Sequence, residues 1–195
     1  MTCIVGLIDN GITYLGGDSC GSNGYSGDTY RQPKVFHCKD TNNAVMGYTS
    51  SFRMGQLLMY AKDLFDELSI SKNEINHEYL VTKFIPNVQK LFSNGGFEEN
   101  KNGIKSSGVF LLGYNHKLYK IQDDYSVLES MNNYDACGCG EGYALGSLKT
   151  TEGLELSPVE RIHMALQSAS KFSVGVSAPF HIINTDNDDV VEFKD

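Results

Sequence analysis

Three residues near the N-terminus, Thr2, Asp18 and Lys34, have side chains that together could cleave an amide bond. A threonine hydroxyl is a weak nucleophile unless a base lies within hydrogen-bonding distance, and a free α-amino group with a pKa of about 8 can be that base near neutral pH. Thr2 would carry both groups if an aminopeptidase removed Met1. A lysine ammonium beside the hydroxyl would favour its ionised form and depress the pKa of the amine, while an aspartate would keep that lysine charged.

The first elements of the chain predict how these side chains meet. Apolar runs over residues 3–8 and 12–15 flank Asp9-Asn10-Gly11, and Asn-Gly is the strongest short signal for a tight hairpin turn. Two paired strands at the start of the chain would return the Asp18 carboxylate towards Thr2. Lys34 would then open the next apolar run.

The spacing of these residues resembles that of the proteasome β-subunit family, which includes the peptidase subunit of the bacterial two-component ATP-dependent protease. These N-terminal-nucleophile (Ntn) hydrolases have threonine at the mature N-terminus, Gly-Asp sixteen residues later and lysine thirty-two residues later, as Thr2, Gly17-Asp18 and Lys34 do here. Residues 138–144, Gly-Cys-Gly-Glu-Gly-Tyr-Ala, are similar to the family segment Gly-Ser-Gly-x-x-Tyr-Ala. The resemblance covers nearly the whole chain and implies one domain over residues 1–195, an α+β four-layer αββα sandwich of two antiparallel sheets between helical layers.

The resemblance also implies which residues form the site. Thr2 would be the nucleophile, and Asp18 and Lys34 would tune it. The residues that would orient the Thr2 amine are Cys139, Ser170 and Ser173. The residues that would contact substrate are Gly21, Met46, Gly47 and Ser50, with a backbone N–H near Ser50 meeting the oxyanion.

Three positions depart from the family pattern. Cys139 replaces the usual serine of the Gly-Ser-Gly turn, and a thiol hydrogen-bonds more weakly than a hydroxyl. Ser170 stands where the family has an aspartate, three residues before Ser173, so one carboxylate is missing near the amine. The oxyanion turn, which is glycine-rich in the family, is Thr49-Ser50-Ser51 here.

The predicted function is a threonine-type endopeptidase that acts on polypeptide substrates. The resemblance implies a homo-oligomeric ring enclosing the active sites, and an ATPase unfoldase is a partner that such a ring could have. A catalytically inactive proteasome-like scaffold or binding shell is the alternative, since part of the supporting shell is missing. A small-molecule amide hydrolase on the same fold also remains open.

Composition narrows the class of protein. The 195 residues, 41% of them hydrophobic, suit one globular domain. A net charge of −8 argues against nucleic acid or an anionic membrane as the main partner. The sequence lacks a membrane-length apolar run and the regions of a signal peptide, and its five cysteines follow no secreted framework, so we expect a cytoplasmic protein. No second ligand pair accompanies Cys137 and Cys139, so neither a metal nor another cofactor is predicted.

The remaining elements follow from periodicity and turn composition. Residues 19–33 are predicted to be an irregular loop because they are rich in Gly, Ser and Asn. Two helices are expected over residues 54–68, capped by Ser50 or Ser51, and 80–92, where Pro86 predicts a kink or a late first turn. A mobile segment over residues 93–107 and a capping box at Ser157 are also predicted. Strands are expected at residues 35–37, 44–48, 108–114, 117–122, 125–128, 180–184 and 190–193, with one covered face on 117–122.

Overall fold

A computed structural model describes residues 1–22, 26–41, 44–66, 69–70, 75–97, 99–101 and 104–195. The described chain is an α+β protein in which two five-stranded sheets carry most of the strands. No helix in these ranges combines the length and the apolar character that crossing a bilayer requires.

The first sheet contains both ends of the chain. Its strands are β1 (Cys3–Asp9), β2 (Ile12–Gly17), β12 (Tyr134–Gly138), β13 (Phe180–Asn184) and β14 (Val191–Phe193). They lie in the order β12-β1-β2-β13-β14, and every neighbouring pair is antiparallel. Because β1 lies between β12 and β2, Thr2 directly precedes an interior strand that is paired on both sides.

The second sheet has the order β11-β10-β9-β6-β5 and is also antiparallel. Its strands are β5 (Val35–His37), β6 (Ala44–Tyr48), β9 (Phe110–Tyr114), β10 (Lys117–Ile121) and β11 (Val127–Glu129). Two small hairpins stand apart from these sheets, one formed by β3 (Cys20–Ser22) and β4 (Gly27–Thr29), the other by β7 (Glu99–Lys101) and β8 (Ile104–Ser106).

The longer helices are α1 (Phe52–Tyr60), α2 (Ile85–Asn94), α3 (Glu141–Thr150) and α4 (Pro158–Phe172). Ser51 caps α1 by accepting from two backbone N–H groups, and Ser157 and Glu160 form the predicted capping box on α4. A helical turn (His77–Tyr79) and a π-helical segment (Leu80–Phe84) run directly into α2. Pro86 lies in the first turn of α2, where the sequence predicted a kink or a late start.

Apolar side chains form three buried clusters. One lies between the two sheets, since Ile4 and Leu15 of the first sheet meet Val45 and Leu111 of the second in it. A second cluster packs the first sheet against α3 and α4. The third packs the second sheet against α1 and α2. Each sheet is therefore covered on both faces, and burying these side chains is the main favourable term that holds the elements together.

Two tight turns join neighbouring strands, and the first of them was predicted from the sequence. Asn10 and Gly11 both have positive φ, 45° and 80°, between β1 and β2, and this is the geometry for which Asn-Gly is favoured. Asn115 and His116, at 46° and 67°, join β9 and β10 in the same way. The predicted N-terminal hairpin is therefore confirmed.

Several sequence predictions were wrong. Residues 19–33 are not wholly irregular, because β3 and β4 lie within them; residues 23–25 of this predicted loop fall outside the described ranges. Tyr134–Gly138 was not predicted as a strand, although it pairs with β1. Strands β7 and β8, in the segment predicted to be mobile, were not predicted either. The sequence signal for these strands was weak, because their extended conformation depends on pairing with another strand and not on local periodicity.

Two further predictions need correction. The first helix ends at Tyr60, so Leu64 and Phe65 are buried without extending its stripe; Leu68, its predicted last member, lies outside the described residues. Strand β10 is covered on both faces, not one, because Leu118 and Lys120 are buried like Tyr119 on the opposite face. The second sheet packs against its partner sheet on one side and against helices on the other.

Candidate active site

The N-terminal hairpin brings Asp18 beside the start of β1. Ile4 pairs with Gly17, and the backbone N–H of Asp18 donates to Cys3 O at 3.4 Å. The Asp18 carboxylate in turn accepts from the Cys3 N–H at 2.9 Å and from the Cys20 N–H at 2.8 Å. Asp18 is fully buried, and these backbone donors fix its orientation relative to Thr2.

Lys34 completes the cluster from the residue just before β5. Its Nζ donates to Thr2 Oγ1 at 2.8 Å, to the two Asp18 oxygens at 2.9 and 3.1 Å, and to the carbonyl oxygen of Cys20. An ammonium has three N–H donors, and here they face a hydroxyl, a carboxylate and a carbonyl. Lys34 is only 2% exposed, so this cation is directed at the Thr2 hydroxyl with almost no water around it.

Burial and ion pairing act in opposite directions on Asp18. Removal from water raises the pKa of its carboxyl, whereas the Lys34 ammonium and the N–H donors of Cys3 and Cys20 oppose that rise. The Lys34–Asp18 pair is 2.9 Å apart with side chains 2% and 0% exposed. Each charge therefore depends on the other, because an unpaired ion at this depth would be strongly unfavourable.

Thr2 itself is almost completely buried. Its Oγ1 accepts from Lys34 and donates to the carbonyl oxygen of Met1. Its backbone N–H, an amide in the presence of Met1, donates to Cys139 Sγ at 3.3 Å. The hydroxyl and the nitrogen of Thr2 thus face different partners, a lysine on one side and a thiol on the other.

The thiol belongs to the turn between β12 and α3. Gly138 has φ of +102°, and a Cβ atom there would lie 2.1 Å from Thr2 O, so the turn can approach Thr2 this closely only with glycine. Cys139 Sγ also lies 3.4 Å from Thr2 O, to which it donates. Sequence reasoning did not single out Gly138, although its place in the Gly-Cys-Gly segment was a signal for it.

Of the two serines predicted to orient the Thr2 amine, only one contacts Cys139 among the described residues. Ser173 Oγ donates to Cys139 Sγ at 3.2 Å, so it reaches the Thr2 nitrogen through the thiol. Ser170 is half-buried on α4. Within the described part of the chain, no hydrogen bond joins Ser170 to Thr2, Cys139 or Ser173.

The predicted oxyanion turn, residues 49–51, lines a small cavity together with Thr2. Ser50 has φ of +66°, a conformation that favours glycine. Among the described residues, no hydrogen bond uses the backbone N–H of Ser50, whereas that of Ser51 donates to Thr49 O. Thr2, Lys34, Ser50 and Phe52 line a cavity of about 80 Å³. Within the described residues, the Ser50 N–H therefore has no hydrogen-bond partner, and Ser50 lines the same cavity as Thr2.

The remaining predicted substrate contacts are less accessible. Met46 is fully buried in the cluster between the second sheet and its helices, so its side chain packs in the core. Gly47 lies between the sheets, since a Cβ atom there would be 2.5 Å from Ile4. Gly21 lines an adjacent hollow of about 440 Å³, with the rings of Tyr30 and Phe52 close to its α-carbon.

A second polar cluster lies behind Asp18. Ser19 Oγ donates to Pro179 O at 2.7 Å and is 3.4 Å from Nδ1 of His181 on β13. Burial lowers the pKa of His181, and Glu192, 3.9 Å away on β14, opposes this shift. The next residue after Asp18 is thus anchored to a histidine kept largely from water.

Within the described ranges, no group of three or more His, Cys, Asp or Glu side chains is arranged so that it could hold a metal ion. The polar groups around Thr2 are a lysine, an aspartate, a thiol and hydroxyls. The arrangement can activate a hydroxyl and hold a neighbouring nitrogen, which is the chemistry of nucleophilic attack on a carbonyl.

Comparison with known proteins gives a match in fold. No protein-family model and no curated protein sequence matches this chain. Among solved structures, BPH of Thiobacillus denitrificans is similar with a TM-score of 0.72 and 14% identity, over 94% of this chain and 97% of that one. Its complex with epoxomicin gives a TM-score of 0.71 at 14% identity with the same coverage. Eukaryotic HslV from Trypanosoma brucei gives 0.64 at 12% identity, over 94% and 98%.

The chain therefore has the fold of these HslV- and BPH-type, proteasome-like peptidase structures. At such low identity the likeness concerns the fold. It confirms the resemblance that the N-terminal residues indicated.

Proposed function

We propose that this protein is a threonine-type amide hydrolase, acting as an endopeptidase, with Thr2 as the N-terminal nucleophile after removal of Met1. The observation that carries the proposal is the contact between Lys34 Nζ and Thr2 Oγ1 at 2.8 Å in a buried site where Asp18 balances the lysine charge. A scaffold would not need to keep a threonine hydroxyl, a buried lysine and a buried aspartate in one cluster. The fold shared with BPH, which has been observed in complex with epoxomicin, supports the hydrolase hypothesis.

In the proposed reaction, the Thr2 hydroxyl proton passes to the free α-amino group, directly or through water, as Oγ1 bonds to the substrate carbonyl carbon. The carbonyl oxygen becomes an oxyanion and accepts from the backbone N–H of Ser50. Breakdown of this intermediate breaks the C–N bond, and the ammonium returns the proton to the leaving amine. Water then cleaves the resulting ester with the amine as base, which restores Thr2.

Lys34 and Asp18 have distinct roles in this proposal. The Lys34 ammonium stabilises negative charge on Oγ1 and disfavours a second positive charge on the nearby amine, which keeps that amine available as a base. Asp18 keeps the ammonium in place and compensates its burial. Both effects are strong because the site is nearly free of water.

The amine is held by weaker contacts. Cys139 Sγ lies against the Thr2 nitrogen, and Ser173 Oγ holds the thiol from the other side. Ser170 would contribute only after a change in its side-chain conformation. Gly21 is proposed to border the substrate, and Met46 and Gly47 would shape the site through packing, since both are buried.

The same proposal extends to architecture and assembly. The three apolar clusters are those expected of a four-layer αββα sandwich, with residues 1–195 as one domain. We propose a homo-oligomeric ring that encloses the Thr2 sites and acts on polypeptides in the cytoplasm, since an unenclosed endopeptidase would cleave cell protein indiscriminately. An ATPase unfoldase is the class of partner that would supply such a ring with extended substrate.

The test compares two forms of the protein that differ only at residue 1. A removable leader would leave either Thr2 or Met1-Thr2 as the new N-terminus, and both forms would be treated with an α′,β′-epoxyketone. The two electrophilic carbons of this reagent can close a six-membered ring with a hydroxyl and an amine on adjacent carbons. We expect one adduct on Thr2 in the first form and none in the second, measured by intact mass and peptide mapping.

Two variants control the experiment. Thr2→Ala should abolish the adduct, while Thr2→Ser should retain it, because serine keeps both reacting groups. A panel of fluorogenic peptides and small amides would then separate an endopeptidase from a small-molecule amide hydrolase. An unreactive Thr2 in the folded free-amine form would overturn the hydrolase proposal.

The alternative is a proteasome-like scaffold without turnover. It is favoured by the amine side of the site, where, in the described chain, the Thr2 nitrogen meets a thiol at 3.3 Å and no carboxylate. The same experiment distinguishes the scaffold hypothesis from the hydrolase hypothesis, because a scaffold would assemble normally but would react in neither form.

A further inference from the structure

Lys120 forms a second buried ionic cluster, on β10. It is 9% exposed, and its Nζ donates to Glu141 Oε1 at 2.6 Å, to Ala136 O at 2.7 Å and to Asp135 Oδ1 at 3.4 Å. Burial alone would lower the pKa of Lys120, but the hydrogen bond with Glu141 and the charges of Asp135 and Glu141 reverse this, so the pKa is raised. The lysine is therefore held in its charged form.

The cluster joins parts of the chain that are far apart in sequence. Lys120 belongs to the second sheet, whereas Asp135 and Ala136 belong to β12 of the first, and Glu141 is the first residue of α3. One ammonium thus contacts the middle of strand β12 and the start of the following helix. The residues between these two contacts are Cys137, which lies on β12, and the turn residues Gly138, Cys139 and Gly140.

That short turn is the part of the molecule that faces the Thr2 backbone. Cys139 Sγ accepts from the Thr2 N–H, and the N–H of Gly140 points to Thr2 O at 3.5 Å. A Cβ atom on Gly140 would lie 2.8 Å from the Cβ atoms of both Cys3 and Ala169, so the turn is packed with little space to spare. A change in the position of Glu141 would therefore move the thiol.

The helix start does not stabilise the turn by itself. Gly140 is the N-cap of α3 and offers no side-chain cap, and the Glu141 carboxylate is engaged by Lys120. Without the ammonium, Asp135 and Glu141 would leave two like charges near each other, and Glu141, at 37% side-chain exposure, would turn to solvent. Nothing else in the described contacts of Glu141 would then hold it over the strand.

We propose that Lys120 is a positioning residue: through Glu141 and Ala136 it fixes the turn of residues 138–140 so that Cys139 meets the Thr2 nitrogen. Its effect on catalysis rests on the hydrolase function proposed above. Its effect on the turn does not, and the two can be measured separately.

The turn can be followed through the Cys139 thiol. Cys139 is the exposed cysteine, while Cys3, Cys20, Cys38 and Cys137 are buried, so iodoacetamide should alkylate Cys139 first under native conditions. In Lys120→Met, which keeps the apolar stem but loses the charge, we expect alkylation to become several-fold faster. Lys120→Arg should restore a rate near that of the unmodified protein.

A matched control lies at the other end of the same helix. Lys149 and Glu152 form an ion pair of the same length, 2.6 Å, but both side chains are exposed. Lys149→Met should leave the alkylation rate of Cys139 unchanged. Glu141→Gln should reproduce most of the Lys120→Met effect, and because Glu141 is partly exposed this variant also serves if Lys120→Met does not fold.

The effect of Lys120 on catalysis is measured in the form of the protein that begins at Thr2. We expect Lys120→Met to slow epoxyketone addition at Thr2 several-fold and to shift its pH profile, since the amine would lose its fixed partner, while the Lys149→Met profile stays in place. Folded Lys120→Met and Glu141→Gln variants with unchanged Cys139 alkylation would overturn the positioning role. If the unmodified protein forms no Thr2 adduct, the hydrolase proposal fails, but the alkylation result still decides the role of Lys120.

Discussion

The two sides of Thr2 are built differently. On the hydroxyl side, Lys34 and Asp18 are charged, buried and joined by contacts of 2.8–3.1 Å. On the nitrogen side, Cys139 and Ser173 are uncharged and partly solvated, and their contacts run through sulfur at 3.2–3.4 Å. The first side is held by electrostatics in a dry site, and the second by weak hydrogen bonds on a turn.

This difference indicates where the site tolerates change. Losing one member of a buried ion pair leaves an uncompensated charge, whereas losing a bond to a partly exposed thiol exchanges it for water. The hydroxyl side should therefore dominate both stability and reactivity. The nitrogen side should act mainly on reactivity, and it is the side where this chain departs from the proteasome-like pattern.

The largest expected effect is that of Lys34→Met. It would leave the Asp18 carboxylate buried without a cation, so we expect the free energy of unfolding to fall by about 3–5 kcal/mol. Chemical denaturation at neutral pH measures this loss. The double variant Lys34→Met/Asp18→Asn should recover part of it, because the uncompensated charge is then gone.

Lys117→Met is the matched control, since Lys117 and Glu129 form an ion pair of 3.1 Å with both side chains exposed. It should cost less than about 1 kcal/mol. Equal losses in Lys34→Met and Lys117→Met would contradict the view that the hydroxyl side is held by buried charge.

A smaller effect is expected from pH, through His181 behind Asp18. Burial lowers the pKa of His181 below 6.5 in the folded protein, so the unfolded chain binds more protons between that lowered pKa and the ordinary value. The contribution of His181 to stability is then complete above pH 6.5 and is lost as the pH falls through the lowered pKa. Thermal melting followed across this range measures the decline.

His181→Gln should remove this part of the pH dependence. Glu192→Gln should enlarge it, because Glu192 raises the pKa of His181 and its loss would lower that pKa further. A melting profile that stays the same in both variants would show that the anchor behind Asp18 does not depend on neutral His181.

The smallest effect is expected on the nitrogen side. Cys139→Ser would replace a weak thiol contact by a hydroxyl contact, and a gain of about 1 kcal/mol in holding the amine corresponds to a roughly fivefold faster epoxyketone addition in the form beginning at Thr2. Ser173→Ala should act in the opposite direction, since it removes the partner of the thiol. A slower reaction of Cys139→Ser than of the unmodified protein would mean that sulfur, with its longer reach, fits this turn better than oxygen.

Much of the hydroxyl side was predictable from the sequence. The Asn-Gly turn specifies the hairpin, the hairpin places Asp18 beside Thr2, and the offset of Lys34 made the set recognisable. The capping box of α4 and the late first turn of a helix at Pro86 were predictable for the same reason. These features depend on residues close together in sequence, or on a spacing that local turn geometry fixes.

The nitrogen side was predictable only in part. Cys139 and Ser173 were named from the resemblance, but the strand that carries Cys139 to Thr2 was not expected, nor was the role of Gly138 beside Thr2 O. Met46 was expected near substrate, yet it is buried. Whether each of these side chains reaches the site depends on which strands pair and which face of the sheet is covered. A single sequence specifies neither directly.

By itself, the sequence determined the nucleophile candidate, its charged partners and the turn that joins them, because local backbone preferences and short spacings decide these. Only the tertiary structure decided that β12 lies against β1, that Lys120 of the second sheet contacts Glu141 at the start of α3, and that Cys139, of the three residues expected to orient the Thr2 amine, is the one that contacts its nitrogen. These contacts span from about twenty to more than a hundred residues. They arise when the sheets pack together and bury their apolar faces, so they follow from the whole fold and not from any one segment.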